Sequence, residues 1–217
     1  MDIKYLASKL SLINRETVIV DNKTLISKED GLYRAYRLAD TEVGYIASDL
    51  YDSIKGSDKL GLLKVRSKSL YGLMTKDLEV IVKPKYKSIK LFEDDFVALF
   101  DDSCGLFRLN KKQELDIVVP MIYSGLYTIV RVNRSYLALM LDNGLTQSMT
   151  VINEDGTVEK PDIDFRYINQ VFSNGNVYFK DSQDILCMYN IYDNMTITDI
   201  DYIQEQCAEA NTLYCIL

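Results

Sequence analysis

Cationic side chains are concentrated in residues 55–90, and six of them alternate with other residues along two segments. The two trios are Lys64, Arg66 and Lys68, and Lys83, Lys85 and Lys87. Because successive side chains of a strand point to opposite faces, each trio projects from one side of its strand. If the two strands are neighbours, the six side chains form one basic face that suits a phosphate or an acidic partner. The alternative is that they line the solvated face of a half-buried sheet and discourage edge pairing.

The charge distribution sets this segment apart from the rest of the chain. Residues 55–90 contain ten Lys and Arg against three Asp and Glu, whereas residues 91–217 contain eight against twenty. The chain as a whole carries a net charge of −7. The acidity of the chain as a whole argues against nucleic-acid binding, and the basic segment is the candidate surface for a polyanion.

Carboxylates also occur at strand spacing, in the pairs Asp162/Asp164 and Asp199/Asp201. Both members of such a pair face the same way, which suits a calcium site or the two carboxylates of a glycoside hydrolase. The interpretation we favour is that they are solvated carboxylates of strands and turns.

Most catalytic arrangements are excluded by composition. The chain has no histidine, which removes the usual general base and the serine and cysteine nucleophile systems that depend on it. It also lacks the glycine-rich loops that cradle phosphates. We therefore expect no enzymatic activity, no cofactor and no metal, and keep a carboxylate-dependent glycoside hydrolase as an alternative.

A tyrosine-led tetrad recurs along the chain and indicates a repeat architecture. Its copies begin at Tyr51, Tyr86, Tyr123, Tyr167 and Tyr202, and the three prolines, Pro84, Pro120 and Pro161, each precede a copy. A period of this length is typical of stacked or radial arrays of one small unit. Between the tetrads, short apolar runs alternate with polar turns, as in antiparallel meanders.

The pattern predicts an all-β fold of about five antiparallel three-stranded meander repeats. They form either an open β-solenoid-like array or a five-bladed propeller-like ring. Apolar residues at helical spacing predict a short N-terminal helix. We assign 1–22 to a helix and cap, 23–206 to five repeats, and 207–217 to a capping or closing strand, all within a single domain.

Several of these residues resemble the WG-repeat (KWG-type) family. The clearest copy runs Val82-Lys-Pro-Lys-Tyr-Lys-Ser-Ile89, with Tyr71-Gly72 before it and Cys104-Gly105 after it. No copy keeps the family's tryptophan. The resemblance implies a bacterial or phage-encoded β-repeat protein and offers no catalytic residues to carry over.

Taken together, these features favour a non-enzymatic protein-binding module. The first alternative is a nucleic-acid or polyanion binder that uses the basic face of residues 55–90. We expect a protein partner, no membrane association and a cytoplasmic location, since no signal peptide or apolar span is evident. The four cysteines, Cys104, Cys187, Cys207 and Cys215, are expected to be free thiols.

Overall fold

The computed structural model describes residues 2–10, 16–39, 43–56, 60–142, 146–163, 165–198, 203 and 212–215. A short α-helix, α1 (Ile3–Lys9), precedes the strands. The Asp2 side chain caps it by accepting a hydrogen bond from the Tyr5 amide at 2.7 Å, which satisfies a donor that a helix start leaves unpaired. Its apolar face packs against Leu25 and Tyr36. The predicted N-terminal helix is confirmed.

The described strands form five antiparallel sheets, each built from consecutive strands. The first holds β1 (Thr17–Ile19), β2 (Thr24–Glu29), β3 (Leu32–Leu38) and β4 (Tyr45–Ala47), and the second holds β5 (Ser53–Gly56), β6 (Leu62–Ser67), β7 (Leu70–Thr75) and β8 (Val80–Tyr86). The third holds β9 (Ser88–Leu91), β10 (Phe96–Phe100), β11 (Cys104–Leu109) and β12 (Leu115–Tyr123). The fourth holds β13 (Gly125–Val132), β14 (Ser135–Asp142), β15 (Thr146–Ile152) and β16 (Val158–Glu159). The fifth holds β17 (Tyr167–Phe172), β18 (Asn176–Lys180), β19 (Leu186–Asn190), β20 (Met195–Ile197) and β21 (Thr212–Cys215).

The all-β class and the five repeats are confirmed, but the number of strands in each repeat is not three. Each of the first four described sheets has four strands. The additional strand is the segment that follows the tetrad tyrosine, such as β5 after Tyr51 and β9 after Tyr86. In the second and third sheets that segment has four residues, of which one is buried, so its apolar run is too short to mark it as a strand from sequence alone.

The tetrad residues differ in how deeply they are buried. Tyr51 and Tyr123 are buried, whereas Tyr86 is only half buried, with the Lys85 amine over its ring. Ile54 and Ile89, the fourth residues of their tetrads, are both buried. Ile89 is therefore a core residue, whereas Tyr86 is not, although both belong to the same tetrad. Tyr202 lies outside the described residues.

The chain divides into two compact units. The first comprises residues 1–101 and 107–116, and the second comprises residues 102–106 and 117–217. A core of the first unit is centred on Ile26, Ile54 and Val65, between the first and second sheets. A core of the second is centred on Leu139 and Phe179.

The last described strand, β21, lies beside the first strand of its own sheet. Val171 of β17 pairs with Tyr214, and Gln170 pairs with Cys215. The segment predicted to cap or close the array therefore adds a fifth strand to the fifth sheet. Its residues 207–211, 216 and 217 lie outside the described ranges.

Glycine allows a close approach of backbones in the second sheet. A Cβ on Gly72 would lie 2.4 Å from the Val82 carbonyl oxygen and 2.7 Å from the Pro84 nitrogen. At this point the pairing of β7 with β8 shifts register between Tyr71 and Leu73. A bulge of β8 around the proline thus sits directly over the glycine, where a side chain would meet backbone atoms.

Candidate functional site

The six predicted cations do not form one face. The strand order in the second sheet is β5-β6-β7-β8, so β7 separates Lys64 and Arg66 on β6 from Lys83 and Lys85 on β8. The prediction of a continuous basic surface across adjacent strands is therefore wrong. It failed because the meander inserts one strand between the two segments, and spacing along the chain does not reveal which strands are neighbours.

The remaining cations of the two trios have separate surroundings. Lys83 and Lys85 are exposed and line a 650 Å³ groove that also contains the carboxylates of Glu79 and Glu114. The Lys87 amine lies 3.9 Å from a carboxylate oxygen of Asp101, and both side chains are largely exposed. Exposed pairs of this kind contribute little to stability.

Lys68 lies in the turn between β6 and β7. Its backbone has a φ of 50°, and its amide donates a hydrogen bond to the Asp52 carboxylate at 2.8 Å. This left-handed turn takes Lys68 out of the alternation that begins with Lys64 and Arg66. The trio that the spacing predicted is therefore reduced to two side chains on one strand face.

Lys64 and Arg66 are joined on their face by residues of the neighbouring strand β5. In the β5–β6 pair, Lys55 lies directly opposite Lys64 and Ser53 lies directly opposite Arg66. A cavity of 220 Å³ is lined by these four residues and Tyr71, and we call it the cationic cleft. Like charges placed directly opposite each other in a sheet are destabilising. The cleft thus gathers three positive charges at an energetic cost.

The cleft holds Lys64 in place without neutralising it. The Lys64 amine lies 5.3 Å from the centre of the Tyr71 ring and donates a long hydrogen bond of 3.5 Å to the Ile89 carbonyl. Among the described residues, no carboxylate forms an ion pair with Lys55, Lys64 or Arg66 within 4.0 Å. The positive charge of the cleft is therefore available to an anion.

Lys55 and Ser53 were not singled out by sequence reasoning. The signal that would have found Lys55 is the hairpin register, because a β5–β6 hairpin in which Ser53 faces Arg66 must place Lys55 against Lys64. That register becomes visible only once the segment after Tyr51 is recognised as a strand.

A second surface of interest is a 650 Å³ groove between β1 and β5, which we call the β1–β5 groove. Val18 and Ile19 are exposed at 63% and 50%, although both are large aliphatic residues on an edge strand. The groove is also lined by Ile26 and Ile54, whose side chains are almost fully buried. An aliphatic edge strand beside an apolar floor is the type of surface to which another chain adds.

Glu16, which lines this groove, forms an ion pair. The Glu16 carboxylate lies 2.8 Å from the Lys28 amine. The hydrogen bond and charge of Lys28 hold the pKa of Glu16 below its ordinary value, and the same contact raises the pKa of Lys28. Both groups are exposed to solvent, so the pair marks the polar rim of an otherwise aliphatic surface.

The thiols that the structure describes are not arranged for nucleophilic chemistry. Cys104 and Cys187 are free and buried, and burial raises the pKa of the Cys187 thiol. A raised pKa keeps the thiol protonated, whereas a nucleophilic cysteine needs the thiolate. Cys207 lies outside the described residues.

The predicted carboxylate pairs fall largely outside the described ranges. Asp162 is exposed, but Asp164, Asp199 and Asp201 are not described, so a glycoside hydrolase pair stays a prediction. Within the described ranges, no group of three or more Cys, Asp and Glu is placed to hold a metal ion. Nor does any described helix have the length and apolar character to span a membrane.

No protein-family model matches this chain, and no curated protein does either. Among solved structures, it is similar to puromycin hydrolase (7% identity, TM-score 0.36, covering 80% of this chain and 36% of that one). It is also similar to Hsv2 of Kluyveromyces lactis, with 10% identity and a TM-score of 0.35 over 83% of this chain and 61% of that one. The WD40 domain of coronin from Toxoplasma gondii is similar too, with 12% identity and a TM-score of 0.30 over 82% of this chain and 55% of that one. The chain thus spans less than two thirds of each of these chains.

Proposed function

We propose that this chain is a protein-binding module without catalytic activity of its own, and that the β1–β5 groove receives an extended segment of its partner. The observation that carries the proposal is the exposure of Val18 and Ile19 on an edge strand, next to the apolar floor of the groove. An extended segment added at such an edge gains backbone hydrogen bonds and buries alternate side chains. The partner segment is therefore expected to be apolar at alternate positions.

The chemistry of the chain supports the same proposal. A sequence without histidine lacks the most common general base, and the buried Cys187 thiol has a raised pKa. Binding through a groove needs neither group. Such binding needs exposed apolar surface in one place, and Val18 and Ile19 provide it in the β1–β5 groove.

The test is affinity capture with the purified protein as bait, followed by hydrogen-exchange mapping of the complex. We expect Ile19→Lys to weaken capture of the partner by at least about tenfold, since a charge in an apolar contact is costly. Ile117→Lys is the matched control, because Ile117 is also an exposed strand residue, at 68%, but lies on β12. Exchange protection should appear in β1 and β5. Equal capture by both variants, or protection elsewhere, would contradict the proposal.

A nucleic-acid or polyanion binder is the second candidate, and the cationic cleft is the observation that favours it. However, the cleft is compact, and the other predicted cations lie on another strand or at turns. A nucleic-acid strand needs an extended track of cations. Titration with a single-stranded oligonucleotide should therefore show weak binding. Strong binding that falls steeply with salt concentration would favour this candidate instead.

A further inference from the structure

Cross-strand pairing provides a common frame for comparing the second to fifth repeats. In each of these four sheets an apolar residue of the first strand lies opposite an apolar residue of the second. These pairs are Ile54 with Val65, Ile89 with Leu99, Leu126 with Met140, and Ile168 with Phe179. The residue immediately before the second member of each pair therefore occupies an equivalent position in these four repeats.

Lys64 occupies this position in the second repeat, and it is the exception among the four. The equivalent residues in the other three repeats are all aliphatic or aromatic and buried: Ala98, Leu139 and Tyr178. The repeat architecture thus provides a packing position here, and the second repeat places a lysine in it. Departures of this kind from an otherwise consistent pattern are expected at functional sites.

The surroundings of Lys64 do not compensate for the substitution within the protein. The residue directly opposite it is another lysine, Lys55, and among the described residues no carboxylate pairs with either one. Arg66 adds a third positive charge on the same face. An anionic ligand would turn this repulsion into attraction.

We infer that Ser53, Lys55, Lys64 and Arg66 bind a phosphate monoester dianion in the cationic cleft. The Arg66 guanidinium provides a planar fork of donors that matches phosphate oxygens, and the two lysines provide point charges. The Ser53 hydroxyl supplies a neutral donor opposite Arg66. The cavity of 220 Å³ has room for one phosphate group with water. A dianion is favoured over a singly charged diester because three cations converge on one small space.

This site goes beyond the binding role proposed for the β1–β5 groove. Ile54 faces the core between the first and second sheets, whereas Ser53 and Lys55, its neighbours in β5, point to the opposite face. Lys55 also lines the β1–β5 groove. The phosphate group can therefore belong either to a free small molecule or to a phosphorylated side chain of a bound protein.

The decisive experiment uses the full chain with inorganic phosphate as the probe, and chloride at equal ionic strength as the salt control. We expect phosphate to raise the melting temperature of the parent protein and to have no effect on Lys64→Met. Met is chosen because it restores an apolar side chain of similar length. Lys85→Met is the matched control, since it removes one exposed lysine of the same sheet outside the cleft and should keep the phosphate response.

A second variant guards against an indirect effect of Lys64→Met on folding. Arg66→Gln retains a polar side chain at an exposed position, and we expect it to weaken the affinity for phosphate by at least about tenfold. A phosphate response that is unchanged in both Lys64→Met and Arg66→Gln would overturn the inference. So would a response that Lys85→Met abolishes to the same extent, because it would show general charge screening.

The source of the phosphate group is identified by a pair of peptides. A phosphoserine peptide that binds more tightly than inorganic phosphate, while its serine counterpart does not bind, would place the ligand on a protein partner. Equal affinity for the phosphopeptide and for inorganic phosphate would identify a free phosphate monoester. Tight binding of an oligonucleotide without any response to either monoester would overturn the inference. If the parent protein shows no response to phosphate but still captures its partner in a way that depends on Ile19, the phosphate site is overturned and the groove proposal is unaffected.

Discussion

The second and fifth sheets share the same meander but use equivalent positions in opposite ways. In the fifth sheet, Tyr178 is buried, packs edge-to-face against Phe172, and its hydroxyl donates a hydrogen bond of 2.6 Å to the Ile203 carbonyl. The equivalent residue in the second sheet is Lys64, with three cations gathered around one cavity. The fifth sheet thus uses this position for packing, whereas the second sheet places there a positive charge that no described carboxylate pairs with.

The first strands of the two sheets also differ, in whether a neighbouring strand covers their free edge. The outer edge of β17 is covered by β21, whereas β5 is an edge strand among the described residues. A covered edge has its backbone groups paired, and an uncovered edge presents them to solvent or to a partner. The comparison places the structural role in the fifth sheet and the candidate binding surfaces around the second.

The largest expected effect is in the fifth sheet. Tyr178→Ala should lower the free energy of unfolding by about 3–5 kcal/mol, because it removes a buried aromatic side chain and leaves a cavity. Chemical denaturation measures this change. Tyr86→Ala provides the contrast, since Tyr86 is only half buried, and its cost should be clearly smaller. An equal cost for both tyrosines would contradict the burial difference.

The next effect tests the close approach of β7 and β8 in the second sheet. Gly72→Ala should destabilise by about 1–3 kcal/mol, the usual cost of overpacking, because the new Cβ meets backbone atoms that are not free to move aside. Gly56→Ala is the matched control in the same sheet, where the nearest atom would be 3.5 Å away. That variant should be neutral or slightly stabilising, since alanine is favoured over glycine in a strand. A tolerated Gly72→Ala would show that β8 can shift.

The third prediction has the opposite sign at the position equivalent to Tyr178. Lys64→Met should raise the free energy of unfolding by about 0.5–2 kcal/mol, as substitutions that repair a local mismatch do. The physical reason is that it relieves the Lys55–Lys64 repulsion and adds apolar area. Thermal denaturation in phosphate-free buffer measures it. A destabilised variant would mean that the Lys64 amine makes a net favourable contribution to stability. It would contradict the idea that this lysine lowers stability in order to bind an anion.

The smallest effect concerns the rim of the β1–β5 groove. The pKa of Glu16 is lowered by Lys28, so the pair stabilises the protein at pH values above the ordinary pKa of a carboxyl group. That contribution is lost as the pH falls through the lowered pKa. Glu16→Gln should therefore lower the melting temperature slightly at neutral pH and leave it unchanged in acid. A difference that persists in acid would point to a role for Glu16 other than the ion pair.

The repeat pattern and the residue classes could be predicted because they depend on neighbours in sequence. Short apolar runs between polar turns marked β6 and β7, and helical spacing marked α1, since each signal is confined to a few residues. The candidate site could not be predicted in the same way. Lys64 and Arg66 were found through their alternation, but Lys55 and Ser53 belong to a short strand whose partner the local pattern does not specify.

By itself the sequence determined the all-β class, the five repeats and the N-terminal helix, since local alternation and turn residues are sufficient for each of them. Only the tertiary structure decided which strands are neighbours. It placed β7 between β6 and β8, which separated Lys83 and Lys85 from Lys64, and it paired β5 with β6, which brought Lys55 against Lys64. Strand pairing joins residues that are distant along the chain, and its register is set by the packing of whole faces rather than by any one segment.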